Sequence, residues 1–470
     1  MKHKLLPHQR KALAWASDRE RIALFMEMRL GKTPVSIRWA KRTGAGRVLV
    51  VAPLSTIHGV LNWEGELARE GIDAISLSRI PQSKRVPAMK QWLQMWRPVL
   101  DPKGGFGREL FGMKRSWRRG WYLINYEALR SNPAILTAPW DAIILDESTK
   151  IRSPRSQITK LITRHSDHIT YKAILSGLPN PEDAADFFSQ FQFLDGTFLG
   201  YDNYWAFRQR YFLTVGFGWH PKRGTRDLIK DAVGRRAFVL TRKQAGVGSE
   251  KVRQQRTVQL NGEQKKLLRE MKKNFSVGGE ETKWVPVVHT WMSHVAGGFH
   301  PKTKAMISDS KMRELEGLLT GELKDESVVV WFRFNHEIEA AYKWLKDRKV
   351  SVEFLHGAVA NSKEKRPKVQ ERFQSGKTRV LLMQVKLGKY GWNLSRSSTA
   401  IYYSNSYEFE DRSQSEDRVV HLTKRNDCLY IDLVSEGTPD ETVVEALTDK
   451  RMNAKLFSAR IKQFVNQLVA

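Results

Sequence analysis

The chain has 470 residues, 41% of them hydrophobic, and its 79 Lys+Arg against 50 Asp+Glu leave a formal charge of +29. That length implies two or three domains of about 100–200 residues, and the apolar fraction, with 15 Trp, excludes wholesale disorder. The single cysteine, Cys428, excludes an internal disulfide and a cysteine zinc site. A charge surplus of this size is tolerable against a polyanion, and nucleic acid is the expected partner. No apolar run reaches the roughly 18 residues that cross a bilayer. The basic residues are spread along the chain, so no membrane partner is expected. The opening segment is charged but lacks the apolar stretch of a secretory signal, and a cytoplasmic location is expected.

In chain order, short apolar runs alternate with helical segments. In the first half the runs are 22–26, 48–53, 122–125, 142–147 and 173–176; in the second, 328–334, 352–356, 380–384, 400–404 and 429–434. Runs of this kind, spaced by helices, read as buried parallel strands of two α/β sheets. The stretch 185–325 is more aromatic and basic and mostly helical in period. Its segments Gly216-Phe217-Gly218, Gly246-Val247-Gly248 and Gly278-Gly279 read as loops between helices. A composition shift near Gly246 divides the chain into a first lobe, 1–245, and a second, 246–470. The first includes the start of a helical insertion at about 185–245, and the second a helical segment at about 262–325.

The run 22–26 leads into Glu27-Met28-Arg29-Leu30-Gly31-Lys32-Thr33 and then a helical pattern to about Arg42. Strand, tight loop, Gly-Lys-Thr and helix make a phosphate cradle: N–H groups at a helix start face phosphate oxygens, and the helix dipole favours their charge. Lys32 is placed to reach the β/γ phosphates and Thr33 to hold Mg²⁺. Met26 occupies the first glycine position of the strict pattern. The run 142–147 ends in Asp146-Glu147, at the carboxyl end of a strand, where open α/β sheets bind ligands. Asp146 is the candidate Mg²⁺ ligand, through water. Glu147 is the candidate to orient or deprotonate an attacking water. Taken singly, Gly-Lys-Thr also occurs in surface turns and an acidic pair also caps helices; the two in this order point to ATP and Mg²⁺. The 12 histidines show no metal-ligand spacing.

Further segments carry a resemblance. They include Leu6-Pro7-His8-Gln9 with Trp15, then 50–55 followed by Asn62-Trp63, Tyr126-Glu127, and Leu175-Ser176-Gly177-Leu178-Pro179-Asn180. Later come 238–243 with 258–264, Gly297-Gly298-Phe299, Phe354-Leu355-His356-Gly357, 388–394 and 414–421. Over about residues 5–457 the sequence resembles the SNF2-like branch of superfamily 2 helicases and translocases. The resemblance implies an α/β fold of two RecA-like parallel-sheet lobes with an SNF2-type helical insertion. It implies that Gln9 reads adenine, that Arg29, Gly31 and Gly391 line the nucleotide, and that Ser55, Trp63, Ser176, Gly177 and Asn393 meet nucleic acid. It places Arg418 at the first arginine of the last motif, as a catalytic cation on the nucleotide. His421 stands where a second arginine is usual, so Arg418 acts itself, Lys424 or Arg425 substitutes, or hydrolysis is slow.

Lys114-Arg115-Ser116-Trp117-Arg118-Arg119-Gly120-Trp121 interleaves cations with aromatics. Arg115, Trp117, Arg118 and Arg119 are nucleic-acid candidates, with a basic loop packed into the first lobe as the alternative. Lys222 and Arg223 are candidate duplex-backbone contacts, while Lys302, Lys304 and Lys311 read as solvated charges. The implied function is a monomeric, DNA-dependent ATPase that translocates on duplex, forked or branched DNA with little sequence preference. Two alternatives stay open: a strand-separating helicase on DNA or RNA, and a DNA clamp that uses ATP as a switch.

Overall fold

The computed structural model describes residues 4–58, 62–94, 120–177, 184–215, 218–247, 250–274, 276–277, 280–281, 285–357, 365–389, 392–406, 408–420 and 427–448. The chain divides into two units, Met1–Ala245 and Gly246–Ala470.

The first unit is built on a seven-stranded sheet. Its strands are β1 (Arg21–Met26), β2 (Arg47–Ala52), β3 (Ala74–Ser76), β4 (Gly120–Asn125), β5 (Ala142–Asp146), β6 (Tyr171–Ser176) and β9 (Ala237–Leu240). Their order is β3-β4-β2-β5-β6-β1-β9, and every pairing is parallel. The central strands are buried on both faces, which is why they read as unbroken apolar runs. β6 lies between β1 and β5, with Phe25 opposite Ser176 and Asp146 opposite Leu175. The sheet thus brings the carboxyl ends of three strands, and the loops that follow them, to one edge.

Residues 185–245 are not wholly helical. The helices Phe187–Asp195, Tyr204–Tyr211 and Thr225–Arg236 are interrupted by an antiparallel hairpin, β7 (Phe212–Val215) with β8 (Gly218–Pro221). Their core is aromatic: Phe188 packs on Phe207 and Phe191 on Phe198, with ring centroids 5.0 and 5.2 Å apart. Phe25 of β1 meets Phe187 and Phe191, so the extra helices share the core of the sheet.

The second unit holds a six-stranded parallel sheet in the order β10-β17-β16-β13-β15-β14. The strands are β10 (Lys251–Val258), β13 (Val328–Phe332), β14 (Val352–Leu355), β15 (Val380–Gln384), β16 (Thr399–Tyr402) and β17 (Cys428–Ser435). Along β13, Val328, Val330 and Phe332 feed one core and Val329 and Trp331 the other, as the two-residue period requires. Between β10 and β13 stand the helices Gly262–Asn274, Val285–Ala296 and Ser310–Thr320, and a small pair, β11 (Ser276–Val277) with β12 (Glu280–Glu281).

Two expectations for this region are corrected. Gly216-Phe217-Gly218 and Gly278-Gly279 are flanked by antiparallel strands rather than by helices, since Val215 pairs with Gly218 and Val277 with Glu280; Gly216, Phe217, Gly278 and Gly279 themselves lie outside the described residues. Lys311 is not solvated. It is 2% exposed, and its ammonium donates to Asp440 Oδ2 at 2.6 Å.

Beneath the Phe409–Glu416 helix lies a buried ionic knot. Arg412 donates to Glu416 Oε1 at 2.7 Å and to Asp432 Oδ2 at 3.0 Å, and it stacks 3.4 Å over the Tyr402 ring. Glu416 also accepts from Lys251 Nζ at 2.8 Å, which ties the edge strand β10 to this helix. Burial by itself raises the Glu416 carboxyl, but Lys251, Arg412 and Arg253 together hold it far below its ordinary value.

Candidate nucleotide site

The loop after β1 is shaped by two backbone constraints. Arg29 and Gly31 have φ of 69° and 82°, so the chain turns through two left-handed residues before the Lys32–Arg42 helix begins. A Cβ on Gly31 would overlap Gln9 Nε2, so glycine is required there by conformation and by space. Gln9 sits under the loop, donating to the Leu30 carbonyl at 3.2 Å and accepting from Leu6 N–H at 3.0 Å. His8 Nε2 is 3.0 Å from the same carbonyl. Glu27 anchors the other flank, accepting from the backbone N–H and Nε of Arg242 at 3.0 and 3.1 Å.

Lys32 is 9% exposed and donates to the Met26 carbonyl at 2.9 Å, which holds its ammonium across the loop. Gly177, at the end of β6, closes on this loop. A Cβ there would lie 3.3 Å from Met28 N and 3.6 Å from Lys32 Nζ. Ser176, just before it, is fully buried. Asp146 ends β5 with 6% exposure. Its Oδ1 accepts from Glu147 N–H at 3.0 Å, and its Oδ2 accepts from Trp63 Nε1 at 2.9 Å. Glu147 has a φ of 51°, a left-handed turn that ends the strand. Tyr126 donates to the Asp146 carbonyl at 2.8 Å, and Ser148 to Gln190 Oε1 at 2.6 Å.

Burial pushes the Asp146 carboxyl above its ordinary value, while the Trp63 indole and the Lys32 ammonium pull it back. A buried carboxylate compensated only in part suits a cation. The loop runs through Gly31 into the N-terminus of the Lys32–Arg42 helix, where backbone N–H groups and the helix dipole favour phosphate. The residues present therefore fit Mg²⁺ and a nucleotide. Lys32, Thr33, Asp146 and Glu147 are the groups that would hold them.

In the second unit Arg418 donates from Nε to the Gly388 carbonyl at 2.6 Å, linking the two segments that the sequence put in one site. Gly388 is pressed on the Phe409–Glu416 helix, where a Cβ would lie 2.8 Å from Ser415 Cβ. Asn393 is fixed from the Lys365–Ser375 helix: Gln374 donates to its carbonyl and its N–H meets Gln370 Oε1 at 3.4 Å. Ser55 lies in the Leu54–Ile57 turn after β2. Gly391, His421, Arg115, Trp117, Arg118 and Arg119 lie outside the described residues, as do Lys424 and Arg425.

Two nucleic-acid candidates, Trp63 and Ser176, are corrected, since both are shut off from solvent. Trp63 is 1% exposed, with its indole on Asp146, so it offers no ring face to a base. The Lys222 ammonium donates to the carbonyls of Gln209 and Arg210 at 3.0 and 2.8 Å, closing the end of the Tyr204–Tyr211 helix. Arg223, beside it, is exposed.

Two family models match this chain: the SNF2-related domain over residues 8–276, and the helicase conserved C-terminal domain over residues 310–423. The chain belongs to the SNF2-related family. It therefore carries a helicase-type ATPase core. Its relatives include the CHD3-type chromatin-remodeling factor PICKLE of Arabidopsis thaliana, 22% identical over 99% of this chain and 35% of that protein. The putative ATP-dependent helicase/translocase YwqA of Bacillus subtilis is 22% identical over 66% of this chain and 35% of that protein. The SNF2-related chain thus spans about a third of the length of these two curated relatives. Among solved structures it is similar to the Sulfolobus solfataricus SWI2/SNF2 ATPase core in complex with dsDNA, with 19% identity and a TM-score of 0.44, over 98% of this chain and 95% of that one. No helix among the described residues is long and apolar enough to cross a membrane.

Proposed function

We propose that this SNF2-related chain is a DNA-dependent ATPase that moves along DNA. The observation that carries the reading is the meeting of the phosphate-loop Lys32, Gly177 and the buried Asp146 at one edge of one sheet. Bound ATP supplies the phosphoryl group, and Mg²⁺ supplies charge neutralisation. Lys32 orients the phosphates, Thr33 and Asp146 hold the metal, and Glu147 positions or deprotonates the attacking water. Arg418, in the second unit, is the candidate catalytic cation, a role worth about 10³–10⁵ in rate where an arginine performs it. Gln9, under the loop, selects adenine. Ser55, Gly177, Lys222, Arg223 and Asn393 serve the nucleic-acid backbone, with sequence preference correspondingly weak. The substrate is duplex, forked or branched DNA in replication, recombination or repair, the motor unit is a monomer, and the location is cytoplasmic.

Phosphate release tests this. Wild type is expected to release phosphate faster with duplex or forked DNA, and Lys32→Ala and Glu147→Gln are expected to abolish it. Binding of DNA and ATP without DNA-stimulated release would favour the ATP-switched clamp. Separation of a partial duplex, or equal stimulation by RNA, would favour a strand-separating helicase.

A further inference from the structure

Trp63 presents a physical puzzle. An indole N–H is a donor with no acceptor capacity, and when buried it needs a partner. The partner of Trp63 is the one carboxylate that the proposed function assigns to metal, at 2.9 Å. The same oxygen, Asp146 Oδ2, lies 3.4 Å from Thr56 Oγ1, whose shorter bond is to the Pro53 carbonyl at 3.0 Å. Both donors belong to the segment that follows β2. Thr56 is next to Ser55, and Trp63 is next to Asn62, whose side chain donates to the Ser55 carbonyl at 3.0 Å. One short stretch of chain therefore carries a candidate contact to nucleic-acid backbone and two donors to the carboxylate. Asp146 Oδ1 is turned to the Glu147 N–H on its other side, so the carboxylate plane is fixed from both ends.

We infer that Trp63, with Thr56 as the weaker second donor, is a positioning residue that aims the Asp146 carboxylate and couples its metal affinity to nucleic acid bound at the Leu54–Ile57 turn. The inference rests on the reading of the site as an ATP and Mg²⁺ site. Its physical basis is that a donor on one carboxylate oxygen sets the direction of the remaining lone pairs. Such outer partners of metal-holding side chains are worth about 10–100-fold in metal affinity. A shift of the Ser55 backbone on binding a phosphate moves Thr56 directly and Trp63 through Asn62. DNA and metal are then linked, and the linkage is reciprocal.

The test is a binding measurement. A fluorescent, non-hydrolysable ATP analogue is bound to the full chain while Mg²⁺ is raised from an EDTA baseline, with and without a duplex oligonucleotide. In wild type, DNA is expected to lower the Mg²⁺ midpoint. Trp63→Phe keeps an aromatic ring and removes the N–H. It is expected to raise the midpoint about tenfold or more, to lose the DNA-induced shift, and to leave analogue affinity in EDTA unchanged. A Trp63→Phe midpoint within twofold of wild type, or a raised midpoint with the DNA shift intact, overturns the inference. Should Trp63→Phe not fold, Thr56→Val removes the second donor without changing side-chain shape. A two- to threefold rise supports the inference, and an unmoved midpoint overturns it. Wild type that binds no analogue at any Mg²⁺ concentration refutes the proposed function instead, so the two failures are distinguishable.

Discussion

Replacing Gly31 with alanine tests the geometry of the loop. At φ 82° a side chain costs about 1–2 kcal/mol of backbone strain. The new Cβ also displaces the buried Gln9 amide, which gives up its bonds to Leu30 and Leu6 at about 1 kcal/mol each. Gly31→Ala should therefore destabilise the first unit by about 3 kcal/mol, a fall in Tm of roughly 6–12 °C for a unit of this size. Gln9→Ala removes the obstruction and the two bonds together, at about 2 kcal/mol. In that background Gly31→Ala should cost only the strain. The double variant is then less destabilised than the sum of the singles by about 1–2 kcal/mol. The assay is thermal and urea unfolding of all four proteins, with nucleotide affinity as a second readout. Additivity within about 0.5 kcal/mol would refute the claim that Gly31 is constrained through Gln9.

Arg412→Met leaves Asp432 and Glu416 buried without their shared cation and should cost about 3–5 kcal/mol in urea unfolding; a loss under about 1 kcal/mol would mean water reaches the knot. Burial lowers His289 and His294 to about 3 and burial raises Glu337 to about 7, so their effects on stability oppose one another. Each histidine stabilises fully above its ordinary value of 6.5, and that stability is lost as pH falls, about 2 kcal/mol by pH 5. Glu337 acts in the reverse sense: its contribution is complete below 4.5 and lost as pH rises through about 7. Between pH 7.5 and 5, Glu337→Gln should therefore lose more stability than wild type, and His294→Gln less; equal slopes in denaturation would contradict the burial argument. DNA affinity should fall steeply with salt, on the order of 10³ between 50 and 200 mM if six phosphates are neutralised; a flat response in a binding titration would dismiss phosphate contacts as its source.

The ten apolar runs legible in the sequence are all strands of the two parallel sheets; nine are buried on both faces and have nowhere to place polar side chains, and the tenth, β14, is a half-buried edge strand. β3 and β10 carry no such signature, and β9 is a four-residue apolar run, Ala237-Phe238-Val239-Leu240, inside a stretch that reads as mostly helical. They are edge strands, and β10 reads Lys-Val-Arg-Gln-Gln-Arg-Thr-Val, mostly polar, with Val258 its one buried residue. The Phe-rich stretch after residue 185 reads as mostly helical, and its hairpin is hidden because each strand is only four residues long.

Local order determined the chemistry at the site: strand, loop, Gly31, Lys32 and helix are contiguous, and Asp146 and Glu147 close a strand of their own. Partners were decided only in three dimensions. By sequence Trp63 belongs with nucleic acid, yet the fold sets it on Asp146, 83 positions away; Lys311 passes for a solvated charge, yet it meets Asp440, 129 positions away. Residue type gives the capacity to donate a hydrogen bond or carry charge. Which acceptor the side chain finds, and whether water is shut out, depends on chain brought from elsewhere, and burial turns an ordinary lysine or tryptophan into an obligatory pair.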